Sequence, residues 1–370
     1  MATRRQSGYA TVMKHSPVES TATAPTLGQQ AECLSQNTGV KVRKALLLDN
    51  KASRVLWLGY GEGRRLVSWQ TSDSGFDPYI ECSRLDLQAN PFDMCLVGKK
   101  NCVISFANGD LSLISLANDE LKPTKTYSTV HGPGGADART VTVTEKNIYS
   151  GSSFGSLAVV DIETGANKCI NTGFAGVRSL STLSGGSLLA SGHSSGQLLI
   201  WDTRDFGSNK PSVVTPSRNK LDGITALDKH PAQTNLIAFG TDNGAVGFSD
   251  IRGVSGNILP LTYDISSSTV TDVRFHPQNG DHLVCSSADG SIVHWDATRV
   301  NRFSFSAMSK ESPWLSDKLG DAVSLNVIKN ASFSAISSLD ISGDSLLAAK
   351  DIQSILVFPN LQFSQTSSNC

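Results

Sequence analysis

Gly192-His193-Ser194-Ser195-Gly196 places a serine between two glycines in the G-x-S-x-G arrangement of a hydrolase nucleophile elbow, with a histidine beside it. The same residues suit a tight turn between two strands. An elbow needs a strand, a turn and then a helix. Gly196 instead leads into QLLIWD, a short apolar run that ends at Asp202. That run reads as a second strand, so the serine belongs to a turn and no catalysis is expected. Gly59 to Gly63, GYGEG, lacks the spacing of a dinucleotide loop and also precedes a strand. HGPGG, from His131 to Gly135, reads as a flexible loop.

Other chemistry is equally sparse. The seven cysteines include no C-x-x-C pair, so zinc spacing is missing and no metal site is expected. Cys95, Cys102 and Cys285 stand in apolar runs, as small core residues do. The odd cysteine count and the lack of an apolar leader suggest a reducing compartment. A net charge of −1 makes no electrostatic case for nucleic acid or for an anionic membrane. Nowhere do 18 apolar residues run together.

The frame of GHSSGQLLIWD recurs along the chain. SSADGSIVHWD ends at Asp296, GTDNGAVGFSD at Asp250, GSSFGSLAVVD at Asp161 and SFANGDLSLIS at Ser115. Each is a turn closed by glycine, then an apolar residue at the second place and, except for His294, at the fourth, and an acidic or polar end. Gly109, Gly155, Gly196, Gly244 and Gly290 mark the frames, spaced 46, 41, 48 and 46 residues apart. Degenerate copies at Gly61 to Gln70, with Trp69, and at Lys350 to Pro359 bring the total to seven. This period with Trp-Asp endings predicts an all-β, seven-bladed WD40-type β-propeller. Trp69, Asp161, Trp201, Asp202, Asp250, Trp295 and Asp296 are its structural positions. The third and fifth places are often apolar too, as expected of a strand covered on both sides. His230 and His276, each followed by proline, read as loop residues or polar caps.

The frames also set the domain organisation. Residues 1–40 are an N-terminal segment, 41–360 the propeller and 361–370 a tail. The seventh copy supplies three strands, so its fourth must come from elsewhere to avoid a bare edge. The expected source is Gly8 to His15, with Thr38 to Lys44 second, and 16–37 a loose connector. The sixth and seventh frames lie 63 residues apart, which places about 17 extra residues near 303–335. That insertion carries Trp314 and Leu315, which either fold back on the rim or anchor a partner.

The run from Ile224 to Arg299, with SPWLSDK at 312–318 and ISSLDISGDSLLAAKD at 336–351, resembles the small WD-repeat nucleoporins of the Y-shaped outer-ring complex of the nuclear pore. The likeness is good over roughly 180–358, weaker over 50–180 and not evident before 40. It implies a scaffold subunit without catalysis or cofactor, a monomer within a hetero-oligomer. It implies docking on other nucleoporins, among them a helical short-arm scaffold subunit, and so a role in pore assembly and nucleocytoplasmic transport. It implies a place at the nuclear pore and, in mitosis, at kinetochores. No Gly-His dipeptide precedes the first strand of the blades, so the buried hydrogen-bond network of strong WD repeats is not expected throughout. The alternative is a substrate receptor of a cullin-4 ubiquitin ligase. Such receptors carry W-D-x-R, matched by Trp201-Asp202-Thr203-Arg204 and, without tryptophan, by Ser249-Asp250-Ile251-Arg252. Arg204 and Arg252 are thus further candidate contacts.

Overall fold

The computed structural model describes residues 33–72, 78–134, 136–207, 210–211, 213–215, 222–252, 261–300, 312–316, 319–361 and 363. These residues form seven four-stranded antiparallel sheets, the blades of a propeller. Six blades use four strands consecutive in the chain. The seventh takes Ile336–Ser342, Ser345–Lys350 and Ser354–Phe358 and adds Leu34–Asn37 as its outer strand. In that closure Leu34 lies opposite Val357 and Asn37 opposite Ser354.

The closing strand therefore differs from both expected sources. It falls inside 16–37, the stretch read as a connector. Thr38 to Lys44 instead leads into Val42–Leu47, the innermost strand of blade one. Gly8 to His15 lies outside the described residues. Leu34-Ser35-Gln36-Asn37 has one apolar residue in four, because an outer strand buries little. Its pull comes from the backbone ladder and from Leu34, which packs on the core between blades seven and one.

Glycine fixes the turn between the second and third strands of a blade. Gly244 has φ +87°, and a Cβ there would come within 1.9 Å of the Ser266 carbonyl oxygen, on the loop leading to the next blade. Both the backbone handedness and the close approach exclude a side chain. Blade seven departs from this: Gln353 takes φ +56° at the equivalent place.

The insertion does not reach across all of 303–335. Ser324–Lys329, within 303–335, is the outer strand of blade six, paired with Ile292–Asp296. The extra residues thus lie between the third and fourth strands of that blade. Their described part includes a 3-10 turn, Pro313–Leu315, and one helical turn, Leu319–Ala322. The tail also contributes. Phe363 is buried against the rings of His276, His282 and His294, with centroids 5.1, 5.9 and 5.2 Å away.

The remaining innermost strands are Pro91–Val97, Thr140–Val143, Val177–Leu183, Ile224–Lys229 and Val270–Phe275. Residues from all seven innermost strands line one central cavity of about 240 Å³. Six of these strands carry a β-bulge near their start, at Arg43, Phe92, Arg178, Thr225, Thr271 and Ser337. A bulge breaks the alternation and re-aims one side chain. All six line the cavity, as does Arg139 just before Thr140 of blade three.

Candidate functional site

Trp314, the expected anchor, is fully buried. Ser312 caps its 3-10 turn by accepting the Trp314 N–H on its hydroxyl, and Pro313 pre-sets the first φ. The indole lies 4.9 Å from the Phe248 ring and 5.5 Å from Phe275, and its Nε1–H donates to the Gly280 carbonyl at 2.8 Å. Trp314 thus plugs the seam between blades five and six, in one cluster with Trp295 and Leu319. Leu315 packs beside it, partly buried. This corrects the reading of Trp314 as a contact offered to a partner: every face of the indole is already covered by its own chain.

Arg204 and Arg252 are exposed, at 78% and 72% of the side chain. Each reaches back two residues and grips its own blade's aspartate with two nitrogens. Arg204 Nε lies 3.0 Å from Asp202 Oδ1 and its terminal nitrogen 2.7 Å from Oδ2. Arg252 does the same to Asp250 at 3.1 and 2.7 Å. The hydrogen bonds from Arg204 hold the Asp202 carboxyl down at about 2. These local forks brace the exit from the third strand. They sit on different blades, four and five, and the structure joins neither to Trp314.

The remaining predicted positions are structural. Trp69 is buried against Trp57 and Tyr79, with centroids at 5.2 and 6.1 Å. Trp295 is buried and donates to the Cys285 sulfur at 3.3 Å. Asp161 and Asp296 each accept the backbone N–H and hydroxyl of a following threonine, Thr164 and Thr298.

Around GHSSG the chain runs strand, turn, strand: Leu188–His193 pairs with Leu198–Asp202. His193 does not serve Ser194. Its Nε2 faces Ser191 Oγ at 2.9 Å, and its Nδ1 lies 2.7 Å from the Ala175 carbonyl. Trp201 Nε1–H donates to the same Ser191 oxygen at 2.8 Å. One proton arrangement satisfies all three contacts. Trp201 donates to Ser191, Ser191 donates to Nε2, and Nδ1–H donates to Ala175. Burial lowers the His193 pKa and keeps the ring neutral for this relay.

His131 repeats the device one blade earlier. It is buried, with its ring nitrogens 2.9 Å from Ser150 Oγ and from Ser156 Oγ. HGPGG therefore begins with an ordered polar cap. The network that Gly-His supplies elsewhere is partly rebuilt here from other positions. His230 and His276 act as caps too: each accepts two backbone N–H groups on Nδ1.

Sequence reasoning missed the channel. Asp340 Oδ2 accepts the Leu47 N–H at 2.7 Å, Asp272 Oδ2 that of Leu339 at 2.9 Å, Asp228 Oδ2 that of Phe275 at 2.8 Å and Asp93 Oδ2 that of Val141 at 2.9 Å. Each bond runs from one blade's innermost strand to the next. Lys44 pairs with Asp93 at 2.7 Å and Arg274 with Asp272 at 3.2 Å. Burial would raise the Asp93 carboxyl, but the Lys44 charge and the N–H donors bring it below its ordinary value. Among the described residues Asp228 and Asp340 have no cation so close, and burial pushes both up to about 6. The available signal was an aspartate recurring inside otherwise apolar innermost strands: FDMC, ALDK, TDVR and SLDI.

The family model "WD domain, G-beta repeat" matches residues 167–202 and 260–296. Nucleoporin Nup43 of Mus musculus is 28% identical over 188 residues, 45% of this chain and 49% of the relative. Its Homo sapiens counterpart is 28% identical over 192 residues, 46% and 50%. The chain thus spans about half the length of these curated relatives. The histone-binding protein MSI1 of Saccharomyces cerevisiae (strain ATCC 204508 / S288c) is 27% identical over 125 residues, 33% of this chain and 29% of the relative. Among solved structures, a chain in the "Crystal Structure of Mitotic Checkpoint Complex" superposes with TM-score 0.68 at 15% identity, covering 97% of this chain and 99% of that one. This last likeness is one of fold alone.

Proposed function

We propose that this WD-repeat propeller, similar to nucleoporin Nup43, is a non-catalytic scaffold subunit of the nuclear pore outer ring that docks on an α-helical partner nucleoporin. The observation that carries the reading is the outer edge of blade six. Leu325 and Val327 alternate on its outer strand and are 48% and 59% exposed. Side chains two apart on a strand point the same way. Phe333, just beyond the strand, is fully exposed. Single exposed apolar residues are ordinary, but three within nine positions at one sheet edge suit the apolar face of a helix.

The test is capture of nucleoporins from nuclear extract by the tagged chain, with the captured proteins identified by mass. Replacing Leu325 and Val327 together by Asp should abolish capture and leave the melting temperature unchanged. Capture that survives would move docking to another surface. A second reading, substrate receptor of a cullin-4 ligase, draws on the exposure of Arg204 and Arg252. It predicts a ligase adaptor among the captured proteins, lost on Arg204→Glu.

A further inference from the structure

The cations of the central channel fall into two layers. In the deeper layer Lys44 and Arg274 face carboxylates of their own chain, Asp93 and Asp272. In the second layer, Arg43 and Arg178 stand at bulges of blades one and four, and Arg139 just before Thr140 of blade three. Phe92 of blade two lies between the first two, with the Arg43 and Arg139 guanidinium carbons 5.7 and 4.7 Å from its ring centre. Among the described residues, only Arg178 of this layer has an ion-pair partner, Asp242 at 3.0 Å. Two positive charges therefore share one aromatic ring with no carboxylate against either.

Nearby acids are committed elsewhere. Asp137 accepts from Ser152 and from Ser153, and Asp351 takes the Tyr60 hydroxyl. Arg43 Nε is buried, on a residue lining the cavity, and has no hydrogen-bond partner among the described residues. Burial lowers the Arg139 pKa, and the Arg43 and Arg178 charges add to that shift while Asp137 and Asp93 oppose it. A chain that pairs its deeper cations and leaves these two unpaired has charge to offer an anion from outside.

We propose that the channel mouth ringed by Arg43, Arg139 and Arg178 binds a phosphate monoester, seated over Phe92. A dianion matches the two unpaired guanidinium groups in charge, and guanidinium forks fit phosphate oxygens two at a time. A singly charged carboxylate would leave one cation unmatched. The site is separate from the blade-six edge and does not depend on the docking role proposed for that edge. The phosphate is carried either by a serine or threonine of a partner or by a free inositol polyphosphate; both present the same group.

The experiment measures binding of the full chain to a fluorescein-labelled peptide pool with a fixed central phosphoserine, to its unphosphorylated twin and to inositol hexakisphosphate. The phosphorylated pool should bind at least tenfold tighter than its twin. Arg139→Ala should weaken that binding tenfold or more at unchanged melting temperature, and Arg139→Lys should restore part of it. Arg84→Ala, an exposed cation on the outer strand of blade one, should change nothing. If inositol hexakisphosphate alone binds, with the same dependence on Arg139, the phosphate belongs to a free inositol polyphosphate and the site stands. Absence of binding by either anion overturns the proposal. So does binding that Arg139→Ala leaves intact, or that Arg84→Ala weakens equally.

Discussion

Asp340 of blade seven accepts the backbone N–H of Leu47 of blade one at 2.7 Å, joining residues 293 positions apart. Ser338 Oγ accepts the N–H of Ala45 beside it at 3.1 Å. The ring is therefore closed twice, by the outer strand at the rim and by side chains at the channel. The two closures are physically different and can be weakened separately.

The rim closure rests on Leu34. Leu34→Asp should destabilise the protein by about 2 kcal/mol, through lost burial of one side chain and a charge placed against an apolar seam. Equal denaturant midpoints for variant and wild type would disconnect this strand from stability.

The channel closure is sensitive to pH. Asp340 titrates near 6 when folded, above its unfolded value of about 3.9. It binds its proton more tightly in the folded state, so its contribution is complete below about pH 4 and is lost as pH rises through 6. His294 behaves oppositely: burial and the neighbouring His282 lower it to about 4, below the unfolded value of about 6.5. Its contribution is complete above pH 6.5 and is lost as pH falls through 4. In wild type the two slopes offset each other. Asp340→Asn should gain up to about 2 kcal/mol relative to wild type between pH 4 and 6.5. His294→Asn should lose ground over the same window. Parallel stability curves for both variants and wild type would contradict both shifts.

Trp314 and Trp295 belong to the core between blades five and six. Replacing either by Ala should cost about 3–5 kcal/mol in denaturant titration, from lost burial and a cavity. Trp314→Phe keeps most of the packing but leaves the Gly280 carbonyl without its indole donor, at about 1 kcal/mol. Loss of partner capture by Trp314→Ala at full stability would restore the anchor reading.

Gln353 takes a left-handed backbone where the other complete frames have glycine. That conformation costs a side-chain-bearing residue about 1–2 kcal/mol, while glycine adds some unfolded-state entropy. Gln353→Gly should therefore stabilise by about 0.5 kcal/mol. Gly244→Ala should destabilise by 2 kcal/mol or more, on the order of an overpacked, strained site. Chemical denaturation of both, with the order reversed, would contradict the register of the seventh blade.

One physical divide separates the elements legible in the sequence from those it concealed. Third strands such as Leu198–Asp202 are buried on both faces, and a glycine with positive φ precedes five of them. Their pattern is dense enough to count seven. Outer strands are half wet and short of apolar residues. Leu34–Asn37 passed for a connector and Ser324–Lys329 for part of an insertion. The channel residues escaped for another reason. Asp93, Asp228, Asp272 and Asp340 are single polar letters in four separate strands, and their shared role exists only once those strands stand side by side. His131 escaped because its partners, Ser150 and Ser156, lie on the two strands beyond its own loop.

Closing blade seven with Leu34–Asn37 has a consequence during synthesis. A ribosome releases that strand among the first parts of the propeller and its partner, Ser354–Phe358, among the last. Until about 320 further residues have emerged, the early strand has no ladder to join, and Leu47 waits 293 residues for its acceptor. Six blades can assemble in that interval, but the arc they form exposes the apolar flanks of blades one and six. Contacts of such long sequence separation slow folding and lengthen exposure to aggregation. A message truncated before the codons for Ser338 and Asp340 would therefore make a chain that lacks both closures.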